Sequence, residues 1–221
     1  MIFNGRTTEV ATRGGVHVQF GCGLSAPAGW RNFDASPALR LQRLSGVGKL
    51  FRRHPYPPFP RGVEYGDVVR GLPLNAGSVN GMYCSHVLEH LALEDLRVAL
   101  RNTYNYIESG GIFRIVVPDL ERIIHDYMES DDERAAESFM QSTMLGRTRR
   151  ERGIQAALRT WLGNSEHLWM WDFKALSCEL AEAGFKRIRR ASFGDCGDPQ
   201  FRLVEDPERW DGALGIECAK P

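Results

Sequence analysis

Apolar and polar positions follow two periods along this chain, and the places where the period changes mark its elements. Residues 15–20 alternate, Val16 and Val18 against polar neighbours, and end in Gly21-Cys22-Gly23, which predicts a first strand and a tight loop. Residues 30–34, 63–69 and 79–85 predict three more strands. From 93 to 107 the spacing changes to that of a helix, with Leu93, Leu96, Leu100, Tyr104 and Ile107 on one stripe. Gly110-Gly111 closes that unit, and the apolar run 112–117 reads as a fifth strand stopped by Pro118. Residues 173–183 return to helical spacing through Phe173, Leu176, Leu180 and Ala183, with Asp172 as N-cap and Gly184 just past the end. Residues 185–193 and 214–219 read as the last two strands, an antiparallel edge pair. Strand–helix–strand alternation of this kind predicts an α/β chain with a mainly parallel sheet covered by helices.

Two stretches break the rhythm. Residues 36–61 suggest a short helix followed by Pro55-Tyr56-Pro57-Pro58-Phe59-Pro60, a stiff connecting loop. Residues 119–171 hold no clear strand. They open with helical spacing at Leu120, Ile123, Ile124 and Tyr127, continue through a polar link at 129–134, and carry a basic run from Arg147 to Arg152. The reading is a helical insertion after strand 5 that leaves from the ligand-bearing edge of the sheet and acts as a lid. A rigid dimerisation layer, giving a homodimer, is the competing expectation.

With 221 residues, 43% hydrophobic and 25% charged, the chain fits a single domain over 1–221 with the insertion 119–171 inside it. Its 28 basic and 28 acidic side chains cancel, which argues against a nucleic-acid partner. No apolar run approaches the ~18–20 residues needed to span a bilayer, and residues 1–15 lack the apolar stretch of a signal peptide. The expectation is a cytoplasmic protein with no membrane insertion. Cys22, Cys84, Cys178, Cys196 and Cys218 are odd in number, scattered and without a C-x-x-C, so neither a zinc site nor a disulfide framework is expected.

Gly21-Cys22-Gly23-Leu24-Ser25-Ala26 also fits the G-x-G-x-x-A pattern of dinucleotide sites. Such a site needs a helix straight after the glycines to hold the pyrophosphate. Here Pro27 and Gly29 intervene, and the next strand starts at Trp30. A ligand with a ribose and no pyrophosphate, such as S-adenosylmethionine, does not need that helix. Asp34, at the end of the second strand, is placed to accept hydrogen bonds from ribose hydroxyls.

In this order the blocks resemble the class I S-adenosylmethionine-dependent methyltransferases, in particular the group with a short first loop. Gly21-Cys22-Gly23 through Gly29-Trp30-Arg31-Asn32-Phe33-Asp34-Ala35-Ser36-Pro37 is similar to "GCG…GW.N.D.SP". Tyr65-Gly66-Asp67-Val68 with Leu72-Pro73-Leu74, the SHVLEHL segment Ser85 to Leu91, Ser109-Gly110-Gly111 to Pro118-Asp119, and His167-Leu168-Trp169 through Ala183-Gly184-Phe185 are similar to further family blocks. The resemblance implies a three-layer, Rossmann-like α/β fold with a seven-stranded mixed sheet and cofactor at the carboxyl ends of the strands. It implies Gly21, Cys22, Gly23 and Ser85 beside S-adenosylmethionine, Asp34 on its ribose, and Asp67 with Val68 on its adenine. Gln19, where many relatives carry an acidic residue, and Asn80-Gly81, in place of a common Asp-Leu or Asp-Val pair, depart from the pattern. The first is expected to weaken cofactor binding and the second to affect packing only. The insertion has no match, so the acceptor is not inherited. A small molecule or a glycan, or more broadly a sugar or lipid, is expected before a nucleic acid. A non-catalytic binder or scaffold with the same fold is the alternative.

His86-Val87-Leu88-Glu89-His90 also spells the inverted zinc-protease motif. That motif needs both histidines on one helix and a third ligand. Here a strand ends at Ser85 and no third ligand is recognisable, so no metal is expected. Methyl transfer to a hydroxyl needs an in-line approach and a proton acceptor. His86 and Asp119, at the tips of strands four and five, are the catalytic candidates, with His167 third.

Overall fold

The structure is a computed structural model that describes residues 15–43, 57–146 and 166–221. Strands β1 (Val16–Phe20), β2 (Trp30–Asp34), β3 (Val63–Tyr65), β4 (Val79–Ser85), β5 (Ile107–Pro118), β6 (Lys186–Ala191) and β7 (Ala213–Ala219) form one sheet in the order β3-β2-β1-β4-β5-β7-β6. The first five pair in parallel, and β7 runs antiparallel to both β5 and β6. The seven-stranded mixed α/β sheet is therefore present. Its last two strands form the expected antiparallel pair at one end of the sheet, with β6 outermost and β7 between β6 and β5.

The helices are α1 (Pro37–Arg43), α2 (Leu93–Tyr106), α3 (Leu120–Met128), α4 (Ala135–Ser142), α5 (Phe173–Glu182) and α6 (Pro207–Trp210), with 3₁₀ turns at Leu88–His90 and Pro199–Leu203. Asp172 caps α5 as expected, accepting the Ala175 N–H at 2.7 Å. Two boundaries differ from the sequence reading. β3 stops at Tyr65 because Asp67 turns the chain: its Oδ1 accepts the Val69 N–H at 2.9 Å, and Asp67 bridges to Gly71. β5 begins at Ile107, directly after α2, because Ile107 pairs with Val79 and a register shift between Val79 and Gly81 takes up the extra residues.

Strand residues point alternately to opposite faces, and this sheet buries both. Met82 and Cys84 of β4, and Phe113, Ile115 and Val117 of β5, join one core with Leu96 and Leu100 of α2 and Leu176 and Leu180 of α5. Their neighbours Tyr83 and Val116 enter a second core with Trp30, Cys196, Phe201, Val204 and Trp210. Three of these come from residues 196–204, so the second layer is built largely from the segment 194–212, for which the sequence pattern predicts no element. Gly81 leaves room for it: a Cβ there would lie 2.9 Å from Phe201. The Asn80-Gly81 pair thus acts on packing.

Arg114, fully buried in β5, anchors the same segment. Its guanidinium donates to Glu205 at 2.8 Å, Asp195 at 2.9 Å, Glu217 at 2.7 Å and the Ser192 carbonyl at 3.0 Å. A buried charge needs this degree of pairing to offset its lost hydration. All five cysteines are free, with Cys84, Cys196 and Cys218 buried. Among the described residues no helix is long and apolar enough to cross a membrane. The basic run 147–152 lies outside the described residues.

Candidate functional site

In the strand order, β1 leads outward to β2 and β3 on one side, while β4 and β5 continue on the other. A crevice opens at such a switch point, beyond the carboxyl ends of the strands, and ligands bind there in open α/β sheets. The loop after β1 forms one wall. Its Cys22 N–H donates to the Phe33 carbonyl at 3.0 Å, and its Gly23 N–H donates to Asp34 Oδ2 at 2.9 Å. Asp34 Oδ1 accepts the Ser36 N–H at 2.8 Å. The carboxylate thus ties the glycine loop to the end of β2, and each oxygen keeps acceptor capacity. Residues 21–29 contain no helix, so no helix N-terminus is available there for a pyrophosphate.

The two loop glycines do different work. Gly21 has φ +62°, and a Cβ on it would lie 2.2 Å from Val87 Cγ2. It is glycine so that Val87 can pack against the loop. Gly23 has φ +55° and nothing within 4 Å of where its Cβ would be, so open space adjoins its backbone. Cys22 is partly buried, and burial together with the Asp34 charge pushes its thiol up to about 12. It is a neutral wall residue rather than a nucleophile. Gln19 donates to Asn32 Oδ1 at 2.6 Å and to the Ser25 carbonyl at 3.1 Å. It braces the loop from inside.

On the β3 side, Val68 is buried in the first core, and its carbonyl accepts from Asn102 at 2.8 Å. Asp67 holds its turn and lies 3.4 Å from Arg70. At the tip of β4, Ser85 is buried and already occupied: Arg209 of α6 donates Nε to its Oγ at 2.9 Å and Nη2 to its carbonyl. His86 follows in a left-handed conformation, φ +53°, which is uncommon for a residue with a side chain. Its Nε2 donates to the Arg209 carbonyl at 2.9 Å.

Asp119 stands at the end of β5, but its Oδ1 caps α3 through the Glu121 N–H at 3.0 Å, and its Oδ2 faces Arg190 at 3.5 Å. Its structural work is that of a helix cap. His167 is buried, and its Nδ1 donates to the Thr143 carbonyl at 2.8 Å. Burial holds its imidazole below the ordinary histidine range.

No protein-family profile matches this chain, and no curated protein matches it. Among solved structures it is similar to an S-adenosylmethionine-dependent methyltransferase from Thermotoga maritima. The identity is 14% over 94% of this chain and 83% of that one, with a TM-score of 0.49. It is similar to a chain of the complex between the Haloferax volcanii Trm112 methyltransferase activator and a methyltransferase, at 14% identity over 94% and 83%, TM-score 0.48. A third likeness is to an S-adenosylmethionine-dependent methyltransferase from Archaeoglobus fulgidus, at 15% identity over 93% and 86%, TM-score 0.47.

The structure also changes the reading of His86-Val87-Leu88-Glu89-His90. The histidines are not one turn apart on a helix, since His86 follows the end of the strand in a left-handed conformation and Leu88–His90 is a 3₁₀ turn. Yet a third histidine is present. The Leu168 and Trp169 N–H groups both donate to the Glu89 carbonyl, at 2.7 and 3.1 Å, and this seats His167 against the motif. Sequence spacing carries no trace of that contact, because 78 positions separate Glu89 from His167. Arg209 and Val87 were likewise missed. Val87 sits within the SHVLEHL block, whereas nothing local marks Arg209.

Proposed function

We propose that this chain is an S-adenosylmethionine-dependent methyltransferase acting on a small-molecule, sugar or lipid acceptor. The cofactor lies in the crevice between β1 and β4, its methionine and ribose portions along Gly21, Cys22 and Gly23. Asp34 accepts from the ribose hydroxyls, Asp67 and Val68 flank the adenine, and Ser85 stands near the sulfonium. The observation that carries this reading is the hydrogen bond from the Gly23 N–H to Asp34 at 2.9 Å, made at the topological switch point. It joins an open glycine backbone to an acidic acceptor in a loop that has no helix for a pyrophosphate. The resemblance of the loop and SHVLEHL blocks points the same way.

His86 serves as the acceptor-side base in this reading. Its side chain is 31% exposed, whereas Asp119 is engaged as a cap and His167 is turned inward. The last two act as positioning groups. Catalysis consists of holding the acceptor atom ~3 Å from the methyl carbon, in line with the departing sulfur.

Calorimetry with S-adenosylhomocysteine and with NAD tests the cofactor. Saturable binding of the adenosyl compound is expected, weakened in Asp34→Ala by about 1.5–3 kcal/mol, the scale of a charge-assisted hydrogen bond. Tighter binding of NAD, or a folded Asp34→Ala variant with unchanged affinity, overturns it.

A further inference from the structure

Glu89 is fully buried, and neither of its carboxylate oxygens has a hydrogen-bond partner. An unpaired buried carboxylate is costly. Three imidazoles surround this one. His86 Nδ1 lies 3.3 Å from Oε1, and His90 Nε2 and His167 Nε2 lie 4.0 Å from the same oxygen. The His90 and His167 rings are 5.0 Å apart between centroids.

The other nitrogen of each ring fixes what faces the carboxylate. His90 Nδ1 meets the Glu166 carbonyl at 2.9 Å, His167 Nδ1 the Thr143 carbonyl at 2.8 Å, and His86 Nε2 the Arg209 carbonyl at 2.9 Å. A carbonyl only accepts, so each of those nitrogens carries the hydrogen. In the neutral imidazole the opposite nitrogen is then a bare lone pair, and all three lone pairs are turned towards a carboxylate. Such an arrangement is repulsive unless a cation sits within it. A proton does not resolve it in this geometry: 4.0 Å is too long for a hydrogen bond from either His90 or His167, and His86 Nδ1, at 3.3 Å, makes no hydrogen bond with the carboxylate.

We infer that Glu89, His90 and His167 bind a divalent first-row transition-metal ion, with His86 at the open side of the site. One donor atom from each of the three residues lies within 4.8 Å of the others. Two donors at 2.0–2.1 Å from one tetrahedral ion are about 3.4 Å apart, so the two histidine–carboxylate pairs at 4.0 Å must each close by about 0.6 Å and no pair by more than about 1.4 Å. Two imidazoles and a carboxylate suit zinc, iron or cobalt rather than calcium or magnesium. The backbone carbonyls on Nδ1 of His90 and His167 are the partners that orient metal-bound histidines. Three protein ligands leave a coordination position free, and the half-exposed His86 marks the side on which it opens. The site goes beyond the methyl-transfer reading and does not depend on it.

The test uses the untagged full chain, freed of metal by a chelator and titrated with Zn²⁺ and with Co²⁺. One equivalent per chain is expected, with a visible absorption band for bound Co²⁺ and a rise in Tm. His90→Asn and His167→Asn should each weaken binding by at least about 100-fold, while His125→Asn, an exposed histidine on α3, should leave it unchanged. If the histidine variants do not fold, Glu89→Gln keeps the shape of the site and should lose the ion alone. Absence of saturable binding by the wild-type chain, or undiminished binding in folded Glu89→Gln, overturns the inference. Binding of S-adenosylhomocysteine, measured on the same samples, separates that result from failure of the cofactor reading.

Discussion

Arg209 grips Ser85 from 124 positions further along the chain, through Nε to the hydroxyl at 2.9 Å and through Nη2 to the carbonyl. Its own carbonyl receives the His86 Nε2–H at 2.9 Å. One residue of α6 therefore holds both residues at the tip of β4, the point where the crevice and the Glu89 cluster meet. The left-handed backbone of His86 is a conformation that surrounding contacts must maintain. Arg209→Met is expected to lower stability by only about 1 kcal/mol, since the side chain is solvent-exposed. It should nevertheless weaken S-adenosylhomocysteine and Zn²⁺ binding together, because both depend on where the β4 tip lies. A variant that binds both ligands like wild type would show that the tip is held by other contacts.

Arg209 follows the segment that the ion-pair network of Arg114 anchors through Ser192, Asp195 and Glu205, and that network predicts a specific acid sensitivity. Burial opposes the charge of Asp195, but hydrogen bonds from Arg189, the Ser192 N–H and Arg114 outweigh it and hold the carboxyl well below the usual range. A carboxyl with a depressed folded-state pKa adds stability above its unfolded value, about 3.9. That contribution is lost as the pH falls below about 3.9 towards the folded value. Chemical denaturation of the wild type and Asp195→Asn between pH 7 and pH 2.5 should give a gap that is constant down to about pH 5 and shrinks below pH 4. A gap independent of pH would remove Asp195 from the network.

Legibility from sequence followed the range of the forces involved. β2 and β4 end where alternation predicts, because each strand's burial is written in its own residues. The stripe on α2 and the cap on α5 are equally local. The segment 194–212 carried no pattern, because Phe201 sits in a 3₁₀ turn of five residues and Trp210 in a helix of four, both too short to show a period. For the same reason Asp34 was identifiable as an acidic strand end, but its bond to Gly23 was not. The nearness of His167 to the HVLEH block is a long-range fact with no local signal, since it arises only where the chain brings Leu168 and Trp169 back to the Glu89 carbonyl.

The glycine loop offers a test in which stability and binding separate. Gly21→Ala must adopt positive φ and also displace Val87, so a loss of about 2–4 kcal/mol is expected. Gly23→Ala meets no atom within 4 Å and carries only the backbone strain, about 1 kcal/mol. If a ligand occupies the space beside Gly23, the second variant should lose affinity out of proportion to its small destabilisation. Denaturant titration paired with calorimetry reads both quantities. Equal affinity of Gly23→Ala and wild type would place the ligand elsewhere along the crevice.

The insertion after β5 follows from the same geometry. α3 and α4 pack on one another through Tyr127 and Phe139, whose ring centroids are 5.5 Å apart, and neither helix contains a buried residue. Ile124, Tyr127 and Met128 are exposed, Met128 at 74%. The hairpin is tied where α3 starts by the Leu120 N–H to the Trp171 carbonyl, at 3.0 Å, and where α4 ends by His167 donating to the Thr143 carbonyl. An element that buries so little apolar surface opens at low free-energy cost. The second tether is one of the histidines of the Glu89 cluster, which connects that cluster to the hairpin. The expected behaviour is that of a lid: fast amide exchange across α3 and α4 in the free protein, then protection when cofactor product or metal is added. Residues of β4 and β5 should exchange slowly throughout and serve as the internal reference. A rigid dimerisation layer predicts the opposite, slow exchange in α3 and α4 regardless of ligand and a dependence on protein concentration. Hydrogen exchange at two protein concentrations, with and without each ligand, distinguishes the two. Slow, ligand-independent exchange that accelerates on dilution would refute the lid.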